Sequence, residues 1–255
     1  MSVFGPYARY YDLLYKDKDY AAEVRFVAGL LAKHAPQARR LLELGSGTGI
    51  HASHFVGEGF SVHGVDRSQT MLDAALVRRS RMEPSAAQSL SFSLGNVQNC
   101  RVGETFDAVI SLFHVVSYQI TNGELLDTFE TAAAHLKPGG VFVFDFWFAP
   151  AVLTERPAVR IKRLESDEIA VTRLAEPGIN TRDSYVDVNY QVFIRDKSTG
   201  ATEELRESHR MRYLSLGEID FLARSAGLRV LESCEWLTGK EPSAGTWGVC
   251  AVLCK

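Results

Sequence analysis

No stretch of this chain approaches the ~18 consecutive apolar residues that a membrane-spanning helix needs, so no membrane span or membrane partner is expected. A basic surplus is missing too. The net charge of −3 and isoelectric point of about 6.2 argue against a dedicated nucleic-acid binder, which usually carries an excess of Lys and Arg. Cysteine is scarce: Cys100, Cys234, Cys250 and Cys254 make no C-x-x-C pair and no metal spacing, so reduced thiols and no metal site are expected. The N-terminus has no basic then apolar run, hence no expected signal peptide and a cytoplasmic location. Neither an internal repeat nor a low-complexity segment occurs. What is present is 255 residues of ordinary globular composition, enough for one large domain or a core with an insertion.

The chain is organised around Leu41-Leu42-Glu43-Leu44-Gly45-Ser46-Gly47-Thr48-Gly49. Strand-like residues run into three alternate glycines, and a helical pattern follows. Such a loop lets a ligand approach the main chain at the carboxyl end of a first core strand, although an ordinary strand-to-helix turn can look the same. Ile50 stands where a dinucleotide fingerprint needs its third glycine. Glu43 would repel a pyrophosphate and attract a cation.

The next strand, Ser61-Val62-His63-Gly64-Val65-Asp66, ends in an acid 21 residues past Gly45, the spacing at which a carboxylate binds adenosine ribose hydroxyls. A loop cap is the other reading of Asp66. Ser68 is placed to cap a helix over residues 69–82. Strands follow at 90–94, 106–113 and 141–146, with helices at 21–34 and 121–136; Lys137-Pro138-Gly139-Gly140 stops the last of these. Residues 84–89 read as a loop. His51 and His54 lack neighbouring acids or cysteines at ligand spacing and read as surface or packing residues. The tyrosine-rich residues 1–20 read equally as a helix on the core edge or a flap over the site.

Alternating strand and helix implies a doubly wound parallel sheet. From about 154 to 215 the period changes to two. Val186, Val188, Tyr190, Val192 and Ile194 share a face, Asp196 to Gly200 form a hairpin turn, and the returning strand is 203–214. On that strand Glu207 and His209 interrupt the apolar face of Leu205, Met211 and Tyr213; such groups are costly to bury unless paired or used. Arg206, Arg210 and Arg212 lie opposite, as a solvated face or a phosphate-recognition surface. Residues 218–226 are helical, and 228–236 and 246–254 are strands returning to the core.

The acidic strand end, the glycine loop, the acid after strand two and Lys137-Pro138-Gly139-Gly140 together resemble the class I methyltransferases that use S-adenosyl-L-methionine (SAM). The resemblance covers nearly the whole chain. More narrowly, Tyr11-Asp12-Leu13, Lys18-Asp19-Tyr20, Asp145-Phe146-Trp147-Phe148-Ala149-Pro150, Val171-Thr172-Arg173 and Glu207-Ser208-His209-Arg210 resemble the N-methyltransferases of nucleotide-linked deoxyamino sugars, of the desosamine and mycaminose type. It implies a Rossmann-like doubly wound seven-stranded α/β sheet with an inserted antiparallel β-sheet. Residues 1–153 plus 216–255 would hold SAM, with an N-terminal helical flap, and 154–215 would bind the acceptor. Tyr11 would lie against the methionine end of SAM; Glu43, Gly45 and Gly47 would hold its amino-acid part, Asp66 its ribose and Met71 its adenine. Asn96 stands where many relatives have an Asp on the adenine amino group, so an amide oxygen must make that contact. Phe113 belongs with the cofactor residues. Tyr7, Tyr20, Trp147, Arg173 and Arg210 would face the sugar-nucleotide, along with His209. Where a relative places a His near the sugar amine, this chain offers Tyr118, with His114 four residues earlier, and which approaches the nucleophile stays open.

The implied reaction is in-line methyl transfer to the amine of a nucleotide-linked amino sugar, with Tyr118, His114 and His209 as catalytic candidates. The alternatives are a sugar O-methyltransferase of polysaccharide or antibiotic assembly, which would need a positioned base, and a SAM-binding protein without catalysis. The sequence leaves a homodimer open.

Overall fold

A computed structural model describes residues 13–255. Tyr7, Tyr11 and the first twelve residues of the expected N-terminal flap therefore lie outside the described residues. Helix α1 (Tyr20–His34) opens on Asp19, whose carboxylate accepts from Ala22 N–H. Strand β1 (Arg40–Leu44), helix α2 (Ile50–Gly57), β2 (Ser61–Asp66) and α3 (Gln69–Ser80) form the first crossover units, with Ser68 capping α3 through Met71 N–H. A short helix α4 (Pro84–Gln88) occupies the expected loop; its proline sits in the first turn, where the missing N–H costs nothing. Strands β3 (Leu90–Leu94) and β4 (Phe106–Ser111), a 3₁₀ turn (Val116–Tyr118), α5 (Asn122–His135) and β5 (Leu136–Phe148) follow. Thr121 and Glu124 close a reciprocal cap on α5. β5 begins earlier than the sequence suggested: Leu136 pairs with Phe106, and Gly139, at φ 77°, carries the chain across the turn while Gly139 N–H and Gly140 C=O pair with Lys255.

Five parallel strands run β3-β2-β1-β4-β5. Strand β11 (Gly248–Cys254) joins antiparallel to β5, and β10 (Arg229–Glu235) pairs with β11, giving seven core strands. Side chains of β5 alternate between two cores. Phe142, Phe144 and Phe146 pack with Leu125 and Phe129 of α5 and Leu222 of α7 (Leu216–Ser225), whereas Val141 and Val143 pack with Val27, Leu31 and Phe55 of α1 and α2.

Between β5 and α7 lie helix α6 (Ala149–Glu155) and four antiparallel strands, β6 (Arg160–Glu165), β7 (Ile169–Asn180), β8 (Tyr185–Asp196) and β9 (Thr202–Leu214). The last two residues of β9 pair in parallel with the end of β5, Tyr213 with Trp147 and Leu214 with Phe148, which joins all eleven strands into one sheet. Among the described residues no helix is long and apolar enough to cross a membrane.

The glycine loop lies close against β2 because Gly64 has no side chain. A Cβ there would sit 2.6 Å from the Phe92 ring and 2.8 Å from Ser46 Cβ. Gly64→Ala is therefore expected to destabilise the fold by roughly 1–3 kcal/mol through overpacking, read as a lower urea midpoint at unchanged slope; an unchanged midpoint would show that the loop yields freely.

Candidate functional site

A cavity with about 260 Å³ of water-accessible space opens at the carboxyl ends of β1, β2, β4 and β5, walled on the other side by Val188, Tyr190, His209 and Met211 of β8 and β9. The structure brings Gly45, Gly47, Asp66, Met71, Asn96, Phe113, His114, Tyr118, Tyr20, Trp147 and His209 to its lining. Glu43 lies beneath the lining. Arg173 stands one layer out: its guanidinium is 4.7 Å from the Tyr190 ring and donates to the Tyr15 hydroxyl at 3.4 Å.

Arg210 is not in the cavity. It forks onto Asp187 at 2.7 and 3.0 Å over the Tyr185 ring, on the opposite face of β9 from His209 and Met211. That placement corrects its assignment to the acceptor. Arg206 pairs with Glu204, and Arg212 turns inward to Ile120 C=O and Glu218, so the three arginines form separate contacts rather than one phosphate clamp.

The floor carries two carboxyl groups, Glu43 and Asp66. Gly45, Gly47 and Gly49 take φ of 80°, 53° and 73°, and a Cβ at Gly45 would strike Val115 at 2.7 Å. Asp66 fastens this loop: one carboxylate oxygen accepts from Gly47 N–H and the other from Ser68 N–H, both at 2.8 Å. Asp66 is thus a loop fastener and a cavity residue at once, and burial raises its pKa. Burial, with Asp66 close by, pushes the Glu43 carboxyl up to about 8. Glu43 Oε2 is buried and has no hydrogen-bond partner among the described residues.

A charged cluster borders this floor, and the sequence reading missed it. His51, expected at the surface or in packing, is 7% exposed and lines the cavity. Its Nε2 lies 2.7 Å from Glu23 Oε2 and its Nδ1 3.9 Å from Glu43 Oε1. Glu23 also accepts from Trp236 Nε1 at 3.2 Å and pairs with Lys18. Burial alone would raise the Glu23 carboxyl; His51 and the Lys18 ammonium overcome it and hold it at about 2. Burial lowers the pKa of both His51 and Lys18. Lys18 Nζ sits 4.3 Å from the Tyr20 ring centroid and 4.2 Å from that of Phe113. The available signal was Glu23 itself, a carboxylate on the apolar stripe of α1 that burial obliges to find partners.

Opposite the floor, Phe113 and His114 both hold left-handed backbone, φ 65° and 61°. His114 N–H donates to both oxygens of buried Asp145 at 3.1 Å, and its Nδ1 lies 2.6 Å from Asp145 Oδ2, off the line of a ring hydrogen bond. Tyr118 Oη is 2.7 Å from His209 Nδ1, and His209 Nε2 is 3.5 Å from Glu207 Oε2. The ionisable groups on the apolar face of β9 are therefore paired. Burial raises the Tyr118 phenol well above its ordinary pKa, so it stays protonated at neutral pH. Asn96 Oδ1 already accepts from Gln98 N–H at 3.2 Å. No cluster of three His, Cys, Asp or Glu placed to hold a metal occurs among the described residues.

An acid raised in the folded state binds its proton more tightly there than when unfolded. Glu43 therefore costs stability increasingly as pH climbs from its ordinary value of 4.5 to about 8. Glu43→Gln keeps an oxygen for Ala52 N–H and removes the charge. In thermal melts the variant is expected to exceed the native chain at about pH 8.5 and to match it near pH 5; a native chain that melts higher at alkaline pH would mean that the carboxylate has a partner.

Residues 41–140 match the family model for a methyltransferase domain. The chain is 30% identical to the dTDP-3-amino-3,4,6-trideoxy-alpha-D-glucopyranose N,N-dimethyltransferase of Streptomyces venezuelae, over 94% of this chain and 95% of that one. It is 31% identical to the dTDP-3-amino-3,6-dideoxy-alpha-D-glucopyranose N,N-dimethyltransferase of Streptomyces fradiae, over 89% and 85%. Among solved structures it resembles SAM-bound CalS10, an amino pentose methyltransferase from Micromonospora echinaspora, with a TM-score of 0.74, 25% identity and coverage of 98% and 97%. An acidic floor under a glycine loop, on a chain of this kinship, places the protein in the family of SAM-dependent methyltransferases.

Proposed function

We propose that the protein transfers a methyl group from SAM to the amine of a nucleotide-linked amino sugar. The observation that carries the proposal is the unpartnered Glu43 oxygen beneath the glycine loop, faced across one cavity by the Tyr118–His209 pair. A buried acid with one oxygen unpartnered among the described residues fits a cationic donor, whose charge favours the carboxylate. Kinship with chains that dimethylate dTDP-linked amino sugars supports the acceptor class.

When bound, the cofactor supplies a methyl carbon activated by a sulfonium charge. Glu43 and the Gly45–Gly47 backbone would hold its amino-acid portion. Asp66, with lone pairs left on each oxygen, would accept from the ribose hydroxyls, and Met71, Asn96 and Phe113 would border the base and the sulfur. Residues 1–153 with 216–255 form the donor unit in this reading, and 154–215 present the acceptor. Tyr20, Trp147 and His209 would border the sugar, with Arg173 behind Tyr190. Holding two reactants in line lowers such a barrier by roughly 7–11 kcal/mol in favourable cases. The acceptor amine must arrive with its lone pair free. Tyr118, kept as a neutral phenol by burial, would orient that amine rather than deprotonate it; the proton passes to water or to His209.

Two measurements test this. His114→Ala and His209→Ala are expected to keep turnover within about tenfold on dTDP-linked amino sugars, because an amine needs no strong base; a loss of about 10²–10⁴-fold with binding intact, or methylation of neutral sugars alone in a mass-spectrometric panel, would favour an O-methyltransferase. Glu43 starts largely protonated at pH 7, with its pKa at about 8, and a neighbouring cation favours the carboxylate. Calorimetry in buffers of different ionisation enthalpy should therefore find close to one proton released on SAM binding near pH 7, fading above about pH 9; no release at either pH would remove Glu43 from the donor site.

A further inference from the structure

A second cavity, of about 270 Å³, adjoins the first. Its lining is His114, Trp147, Glu235, Trp236, Thr246, Trp247 and Gly248. His114 and Trp147 line both cavities, so the two share a wall. The chain has three tryptophans, and all three are in this lining. The antiparallel register of β5 and β11 sets Trp147 opposite Gly248, next to Trp247, and the main chain of Trp236 bonds to Gly248 C=O at 2.9 Å. Trp147 and Trp247 meet edge to face, with centroids 6.0 Å apart and planes at 87°, and the His114 ring stands at 71° to Trp147.

Two indole N–H groups are held by carboxylates, Trp236 by Glu23 and Trp247 by Glu155. Donation to an anion enriches the indole π-system, which strengthens its attraction for a cation. Glu235 brings a negative charge to the lining, and no Lys or Arg side chain lines the cavity among the described residues. The Glu235 carboxylate already accepts from Thr246 Oγ1 at 3.2 Å and from Thr238 Oγ1. The cavity thus offers aromatic surface and one carboxylate with little spare hydrogen-bonding capacity. A bare ammonium, which needs several acceptors to replace its water, fits this poorly. An alkylated ammonium, with few N–H groups and a soft methyl surface, fits it well.

We propose that Trp147, Trp236, Trp247 and Glu235 form a cage for a methylated ammonium group, next to the methyl-transfer cavity across the His114–Trp147 wall. Its place in the reaction rests on the amino-sugar reading above: the methylated amine of the acceptor, protonated at neutral pH, leaves the transfer cavity for the cage. The cage itself stands on the lining alone.

Intrinsic tryptophan fluorescence reads this directly, since all three indoles border the cavity. The full chain, saturated with S-adenosylhomocysteine to block the donor side, is titrated with tetramethylammonium chloride and, at matched ionic strength, with ammonium chloride. The expected result is a saturable change with tetramethylammonium and none with ammonium, with the dissociation constant raised about fivefold or more in Trp247→Leu and in Glu235→Gln. Equal, linear responses to both salts would overturn the proposal, as would native affinity in folded Glu235→Gln and Trp247→Leu. Product assays on amino sugars are scored separately: turnover without tetramethylammonium binding removes the cage and leaves the methyltransferase reading, and binding without amino-sugar turnover keeps the cage while removing that reading.

Discussion

A carboxyl group buried beside a second one, with one oxygen unpartnered among the described residues, is the constraint on which the site depends. Glu43 cannot turn away, because its strand is paired on both sides, with Gly64 of β2 and Ile110 of β4. Cationic groups stand nearby and are kept off it. Lys18 pairs with Glu23, and burial keeps His51 neutral, so that it donates to Glu23 rather than countering Glu43. The Glu23 cluster satisfies itself and leaves the charge requirement of the floor open. A polar group left in that condition stores free energy that a cationic ligand releases.

The opposite wall depends on register. Only Tyr213 and Leu214 of β9 pair with β5. Side chains of a strand alternate between faces, so fixing Tyr213 also fixes Met211, His209 and Glu207 on its side. At about 3.3 Å per residue, His209 lies roughly 13 Å along the strand from that anchor, far enough to reach Tyr118 in the turn after β4. A slip of one residue would point Arg210 and Ser208 into the cavity and turn His209 outward. The Arg210–Asp187 fork on the outer face, between residues paired across β8 and β9, favours the observed register.

What could be read in the sequence was local. The glycine loop, the acid ending β2, the cap at Ser68 and the period-two strands each lie within a few residues of one another, and the structure shows each of them. Arg173 could be assigned only to a side of the sheet, not to a depth. Arg210 was misplaced because a family motif does not state which face its last residue occupies; the alternation of β9 does, once His209 is known to point inward. The Glu23–His51–Lys18 cluster unites α1, α2 and the segment before α1, so no window of sequence contains it. The three tryptophans are likewise scattered and meet only through the pairing of β5, β10 and β11. Residues 84–88 illustrate the opposite error: a segment read as a loop is a short helix opened by its proline.

The left-handed pair Phe113–His114 shows how these parts are tied together. Non-glycine residues held there cost of order 1–3 kcal/mol each and persist only where their surroundings fix them. Here the fixing group is Asp145, a buried acid inside β5, which accepts the His114 amide. The strained turn places the Phe113 ring against Tyr15 and under Lys18, on the side of the acidic floor. It also sets the His114 ring on the wall between the two cavities. An extended backbone at these two positions would send successive side chains to opposite faces of β4, and neither contact would form. Asp145 therefore acts on the site through the backbone: by accepting one amide it fixes where the floor ends and where the second cavity begins.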